Sequence, residues 1–218
     1  MDWERARYLM VEQQIRTWNV TDLKVLQRFM DVKREDFVPA DKRELAFADI
    51  ELPVGNGRFM LAPKIEGKFL QAASIKPTDK VLVVGAATGY LVALASGLAQ
   101  QAYGVESDAG LVVAANSSLK AAGIKNAEVL QGDMLSGLAQ QAPFDVILIS
   151  GAFASLPEAL KEQLVVSGRI LAVLGHIPVK GCTRIVRSSA DVWNEEVLFE
   201  YPLASLYSPA CKEQTFTL

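Results

Sequence analysis

The 218-residue chain is half hydrophobic and 22% charged, with a formal net charge of -3 and a pI near 5.3. That balance excludes the basic footprint of a nucleic-acid binder, and no segment approaches the ~18 uninterrupted apolar residues of a membrane span. One histidine and two cysteines without C-x-x-C spacing cannot assemble a zinc site or a disulfide framework, so no metal is expected and Cys182 and Cys211 both read as reduced, structural thiols.

The length suits one α/β domain with an appended segment. The first thirty residues carry neither the basic start nor the apolar stretch of a secretory signal, so a cytoplasmic location is expected. In chain order, residues 3–18 set Tyr8, Val11 and Ile15 at three- and four-residue steps among charged neighbours, the pattern of an amphipathic helix. A second helix follows, capped by Thr21 or Asp22, with Leu23, Leu26, Phe29 and Met30 as its buried stripe and a charged turn at 33–36. Pro39 opens a short helical piece. Residues 52–63 contain Pro53, Gly55, Gly57 and Pro63, and that density of backbone breakers predicts an ordered loop rather than a regular element, of the kind that often carries function.

Beyond residue 79 the pattern changes. A short β-branched run at 80–84 ends at Gly85, and a helical pattern follows through Tyr90, Leu94 and Leu98. The alternation repeats as a strand at 102–106, a helix at 110–122, a strand at 128–131 and a fully apolar strand at 144–150, which together predict right-handed βαβ units. A helix at 156–164, a strand at 168–174 and two late strands at 183–186 and 197–201 complete the reading. Periodicity does not fix the order of those last strands, nor whether 205–218 is an edge strand or a loop. The expected architecture is therefore a Rossmann-like α/β domain with a mostly parallel central sheet, helices on both faces and an N-terminal helical extension. Residues 1–78 would supply the helices and a substrate loop, and residues 79–218 the cofactor-binding core.

The strand-turn-helix through Gly85, Ala86, Ala87, Thr88, Gly89 and Tyr90 places two glycines where the chain must turn sharply and approach a ligand closely, with backbone donors at the helix start facing it. Glu106 falls about twenty residues after Gly85, at the end of the next predicted strand, where an acidic side chain can accept from both ribose hydroxyls. Asp133 follows the third strand and can accept from the exocyclic amine of an adenine while Met134 packs near the ring; a helix N-cap is its alternative role, as it is for Thr88. The turn lacks the middle glycines of Gly-x-Gly-x-x-Gly and the chain has no Tyr-x-x-x-Lys pair, which favours methyl transfer over hydride transfer. His176, after a strand and without a partner at a recognisable spacing, reads as a loop histidine, and Trp3, Trp18 and Trp193 read as packing residues.

Met-Val-Glu-Gln-Gln-Ile-Arg at 10–16, Val-Lys-Arg-Glu-Asp-Phe-Val-Pro at 32–39, Leu-Pro-Val-Gly-Asn-Gly at 52–57, the turn at 85–90, Gly132-Asp133, Pro143-Phe144-Asp145 and Ser167-Gly168-Arg169 together resemble the protein-L-isoaspartate O-methyltransferases along nearly the whole chain. The resemblance implies a class I methyltransferase that takes S-adenosyl-L-methionine, yields S-adenosyl-L-homocysteine, and methylates L-isoaspartyl and D-aspartyl residues of damaged proteins or peptides, which starts their repair. It implies a substrate loop formed by Asn56, Gly57, Arg58, Met60, Leu61, Ala62 and Pro63. Three departures stand out. Val83 replaces an acidic residue before the first glycine, and Ala87 replaces a glycine inside the turn. Leu61 stands where the family has its active-site serine, and Ala62 where it has a glutamine, so no catalytic side chain carries over to either position. Two alternatives stay open: a methyltransferase with a less charged acceptor, and a noncatalytic scaffold on the same fold. Oligomeric state is not legible.

Overall fold

The computed structural model describes residues 2–176 and 178–206; Cys211 and the predicted tail beyond Leu206 lie outside the described residues. Asp2 caps helix α1 (Trp3–Met10), and the chain continues through a π-helical segment (Val11–Ile15) and a 3-10 turn (Arg16–Trp18). Its inward stripe is Arg7, Met10, Val11 and Ile15, while Tyr8 is 53% exposed, contrary to the predicted stripe. Arg7 takes the inward position because it pairs with the buried Glu35. Helix α2 (Leu23–Asp31) is capped by Asp22, which accepts from the Lys24 and Val25 amides. Val25, Leu26 and Phe29 are buried there, whereas Leu23, in the first turn, points to solvent. Trp18 is 40% exposed, with Lys64 over its ring, so it packs at the surface rather than in the core.

Residues 52–60 form a hairpin, not the loop expected from their breakers. Strands β1 (Leu52–Gly55) and β2 (Arg58–Met60) pair antiparallel around Asn56 and Gly57, whose φ angles of 50° and 70° are those a tight two-residue hairpin turn requires. The glycines that suggested disorder of pattern are the turn itself. Helix α3 (Pro63–Ala73), which the sequence pattern did not reveal, follows at once with Pro63 in its first turn. Its Gly67 sits against Ile15 and Val20; a Cβ there would lie 2.9 Å from Ile15 Cγ2, so α3 needs the missing side chain to reach the N-terminal helix.

The central sheet has seven strands: β3 (Lys80–Val84), β4 (Gln101–Glu106), β5 (Ala127–Gln131), β6 (Phe144–Phe153), β7 (Leu164–His176), β8 (Val179–Arg187) and β9 (Trp193–Glu200), in the order β5-β4-β3-β6-β7-β8-β9. The first five in that order are mutually parallel, and β8 and β9 add antiparallel at one edge. Helices α4 (Tyr90–Ser96) and α5 (Ala109–Ala121) cross between β3, β4 and β5, and the short α6 (Glu158–Glu162) crosses between β6 and β7. Alternate residues of the strands feed two cores. Val81, Val83, Val146, Leu148 and Leu171 pack with Met10, Phe29, Phe69 and Ala93, whereas Leu82, Val84, Ile147, Ile149 and Ile170 pack with Leu160, Met134 and Leu206. The chain winds outward from β3 in one direction and from β6 in the other, which makes the carboxyl ends of those two strands the switch point where open α/β sheets bind ligands. Among the described residues no helix is long and apolar enough to cross a membrane.

Candidate active site

At the switch point, β3 ends at Val84 and the chain turns through Gly85, Ala86, Ala87, Thr88 and Gly89 into α4. Gly85 and Gly89 have φ of 78° and 81°, and Ala87 takes 48°, a left-handed conformation that costs a Cβ-bearing residue on the order of 1 kcal/mol. Ahead of the amides that open α4, four N–H groups of the turn are spent inside the protein. The Gly85 and Ala86 N–H groups both donate to Val105 O, Gly89 N–H donates to Ala86 O at 2.8 Å, and Ala87 N–H donates to Glu106 Oε2 at 3.1 Å. These bonds close the turn onto β4. Thr88 is not a cap, since Gly89 holds the N-cap position; its Oγ1 is buried with no hydrogen-bond partner among the described residues.

Glu106 ends β4 fully buried. Its Oε1 accepts from Ser107 N–H at 2.8 Å, Asp108 N–H at 3.2 Å, the Ser107 hydroxyl at 3.3 Å and Arg58 Nε at 3.0 Å, while its Oε2 accepts the Ala87 amide. Arg58, expected in the substrate loop, is 5% exposed, and its Nη2 also donates to Ser107 Oγ at 2.8 Å. Beside it, Asn56 Nδ2 donates to Asp108 Oδ2 at 2.6 Å. The Asp108 carboxyl is held below its ordinary range, first by the hydrogen bond from Leu111 N–H and also by Asn56. Two side chains of the hairpin turn therefore hold the end of β4.

Beyond the turn the hairpin runs inward. Met60, Leu61, Ala62 and Pro63 are all buried, so with Arg58 five of the seven residues expected in a substrate loop are buried. Their position is fixed by Arg34, itself 1% exposed, whose Nη2 donates to Leu61 O at 2.7 Å and whose Nε donates to Ala46 O at 2.8 Å. Its Nη1 pairs with Glu66 of α3, and the guanidinium lies 4.8 Å from the Tyr90 ring centroid. Burial raises Glu66 to about 7, with Arg34 pulling against that shift, and it pushes the Tyr90 hydroxyl far above its ordinary range. The charged turn at 33–36 thus holds the two buried residues Arg34 and Glu35, which hydropathy alone does not reveal. The signal available was the placement of Glu66 on a helix that was itself not recognised.

Leu61, Glu66, Ala87, Thr88, Tyr90 and Ser150 line one cleft above the glycine turn. Ser150 directs its hydroxyl at the Val84 and Gly85 carbonyls, and Leu206 covers the turn from the other side: a Cβ at Gly85 would lie 2.6 Å from Leu206 Cδ2. That cover is held by the main chain, with Ala152 N–H donating to Ala204 O and Leu206 N–H to Ala152 O. Asp133, exposed, accepts from Leu135 N–H and from Ser136 Oγ at 2.8 Å, which is the local capping role, while Met134 is buried beneath it. His176 is exposed at the end of β7, away from these groups. The buried Thr88 hydroxyl and the Glu106 carboxylate suit a nucleoside with a vicinal diol, since Oε2 accepts one donor among the described residues and has room for another.

A family model described as protein-L-isoaspartate(D-aspartate) O-methyltransferase matches residues 5–213 of the chain. A protein-L-isoaspartate O-methyltransferase of Koribacter versatilis is 40% identical over 187 residues, 86% of this chain and 83% of the relative. Its counterpart in Roseiflexus castenholzii is 35% identical over 197 residues, 90% of each. Among solved structures, a beta-aspartate methyltransferase (PCMT) from Plasmodium falciparum in complex with S-adenosyl-L-homocysteine aligns with a TM-score of 0.79 at 18% identity, covering 92% of this chain and 97% of that one, a likeness of fold.

Proposed function

Since the chain belongs to the protein-L-isoaspartate(D-aspartate) O-methyltransferase family, we propose that it methylates the free carboxylate of L-isoaspartyl and D-aspartyl residues in damaged cytoplasmic proteins, using S-adenosyl-L-methionine. The observation that carries the reading is Glu106, a buried carboxylate at the end of β4 bonded to the glycine turn at the switch point of the sheet. Bound there, the cofactor supplies a methyl group on a sulfonium. Glu106 would accept from its ribose and Asp133, beside Met134, from its adenine amine, while the buried Thr88 hydroxyl, without a partner among the described residues, could meet it from the turn. No general base is needed, because an acceptor carboxylate with a pKa near ~4 is already deprotonated at pH 7. What the protein contributes is alignment, worth up to ~7 to 11 kcal/mol in favourable cases.

Leu61 favours a second reading. An aliphatic side chain facing the cleft offers no hydrogen bond to an acceptor carboxylate, and the loss of one such bond costs about 1 to 3 kcal/mol. An acceptor of lower charge fits that wall better. Calorimetric titration with S-adenosyl-L-methionine and S-adenosyl-L-homocysteine, followed by methyl transfer to an isoaspartyl peptide, separates the readings. We expect micromolar binding with transfer. Binding without transfer supports the second reading, and absence of binding would reduce the chain to a scaffold.

A further inference from the structure

Glu106 Oε1 has no capacity left. Four donors converge on it, one of them the Arg58 guanidinium, and a carboxylate oxygen has two lone pairs. Oε2 carries the Ala87 amide alone among the described residues. A ribose presents two adjacent hydroxyls, and a carboxylate holds such a diol best with one hydroxyl on each oxygen. With Arg58 in place, only one hydroxyl finds an acceptor. Of the donors on Oε1, the Ser107 and Asp108 amides belong to the chain that immediately follows Glu106 and cannot leave without unmaking the end of β4. Arg58 can leave, because it arrives from the hairpin.

At its turn the hairpin is open to solvent. Its turn residues Gly55, Asn56 and Gly57 are exposed, and among the described residues nothing lies within 4 Å of where a Cβ would stand at Gly55 or Gly57. It touches the end of β4 through the two side-chain contacts of Arg58 and Asn56. At its other end Arg34 holds Leu61 by its carbonyl, so the strand that carries Arg58 is fixed at the base and tethered at the tip.

We propose that Arg58 is a latch on the ribose-binding carboxylate: cofactor displaces the guanidinium from Glu106, and the released tip of the hairpin brings Arg58 to the acceptor side of the cleft. This rests on the cofactor reading of the site. The displaced guanidinium is a planar, permanently charged fork, the side chain best matched to a carboxylate. It supplies the acceptor contact that Leu61 does not, and only after the cofactor is in place. Binding is therefore ordered, cofactor first.

The test is S-adenosyl-L-homocysteine binding by calorimetry to the intact protein and to Arg58→Gln, with hydrogen exchange of residues 52–60 read in the wild type with and without ligand. The latch predicts binding about tenfold tighter or more in Arg58→Gln, since no ion pair has to be broken, and faster amide exchange in the wild-type hairpin once ligand is bound. Equal or weaker binding in a folded Arg58→Gln overturns it, as does slower exchange of the hairpin on binding. Should Arg58→Gln fail to fold, the exchange measurement on the wild type decides alone. Binding to neither protein removes the cofactor reading and the latch together, whereas equal affinities remove the latch and leave that reading standing.

Discussion

At the scale of single residues, the least expected feature is a charge cluster beneath the acceptor-facing wall. Burying an ion pair costs several kcal/mol per ion in desolvation, and the loss is recovered only where every polar atom is met. Arg34 meets that condition through Glu66, Ala46 O and Leu61 O. Glu66 still titrates high, to about 7 from an ordinary 4.5, because its burial outweighs the pull of Arg34. The sign follows directly. Below about 4.5 the carboxyl is protonated in both folded and unfolded chains, and between about 4.5 and 7 the unfolded chain ionises first, so stability from this group is lost across that window and flat above it. Comparing wild type with Glu66→Gln by urea denaturation, the difference in unfolding free energy should move against the wild type by about 3 kcal/mol between those pH values. A difference that does not change with pH would mean that Glu66 titrates in the folded protein as it does in the unfolded chain. None of this cluster is legible in the sequence, where Arg34 and Glu35 look like any charged turn; burial of a charge is decided by the partner that comes to meet it.

Elements were legible where the pattern was local. The run at 80–84 is a strand with the bounds read from it, and Glu106 ends β4 where its spacing from Gly85 placed it. The hairpin β1–β2 and helix α3 were not, for related reasons. Gly55, Asn56 and Gly57 break a pattern by serving as its turn, and Lys64, Glu66, Gly67 and Lys68 interrupt the apolar periodicity of α3 although Glu66 and Gly67 face inward. The hairpin also gives a clean measure of backbone strain. Gly57 has φ of 70° and no atom of the described residues within 4 Å of a Cβ there, so Gly57→Ala should cost about 1 kcal/mol from the left-handed backbone alone. Gly85→Ala adds a collision with Leu206 to a similar φ and should cost more, about 2 to 3 kcal/mol. Equal costs at the two positions, measured by denaturant midpoints, would show that Leu206 yields freely and covers the turn only loosely.

The whole molecule has one feature that cutting it would expose. Residues 1–78 provide Met10, Phe29, Phe69 and their neighbours to the same cluster that covers Val81, Val83, Val146 and Leu148. A fragment of residues 79–218 would uncover the part of that face that α4 and α5 do not reach. We expect it to be expressed without native near-UV circular dichroism and to bind a hydrophobic dye, and we expect the intact chain to unfold in one transition. A fragment that folds by itself would make the N-terminal layer a separate unit. The frame so built holds both ends of its acceptor-facing segment by main-chain oxygens, with Arg34 gripping the carbonyls of residues 46 and 61. Its consequence is evolutionary. The Arg34 grip on residue 61 does not depend on its side chain, so a substitution there that keeps the volume of the buried Leu61 can change what the wall recognises while the main chain stays where it was, and a lineage can drift from one acceptor to another without losing the fold.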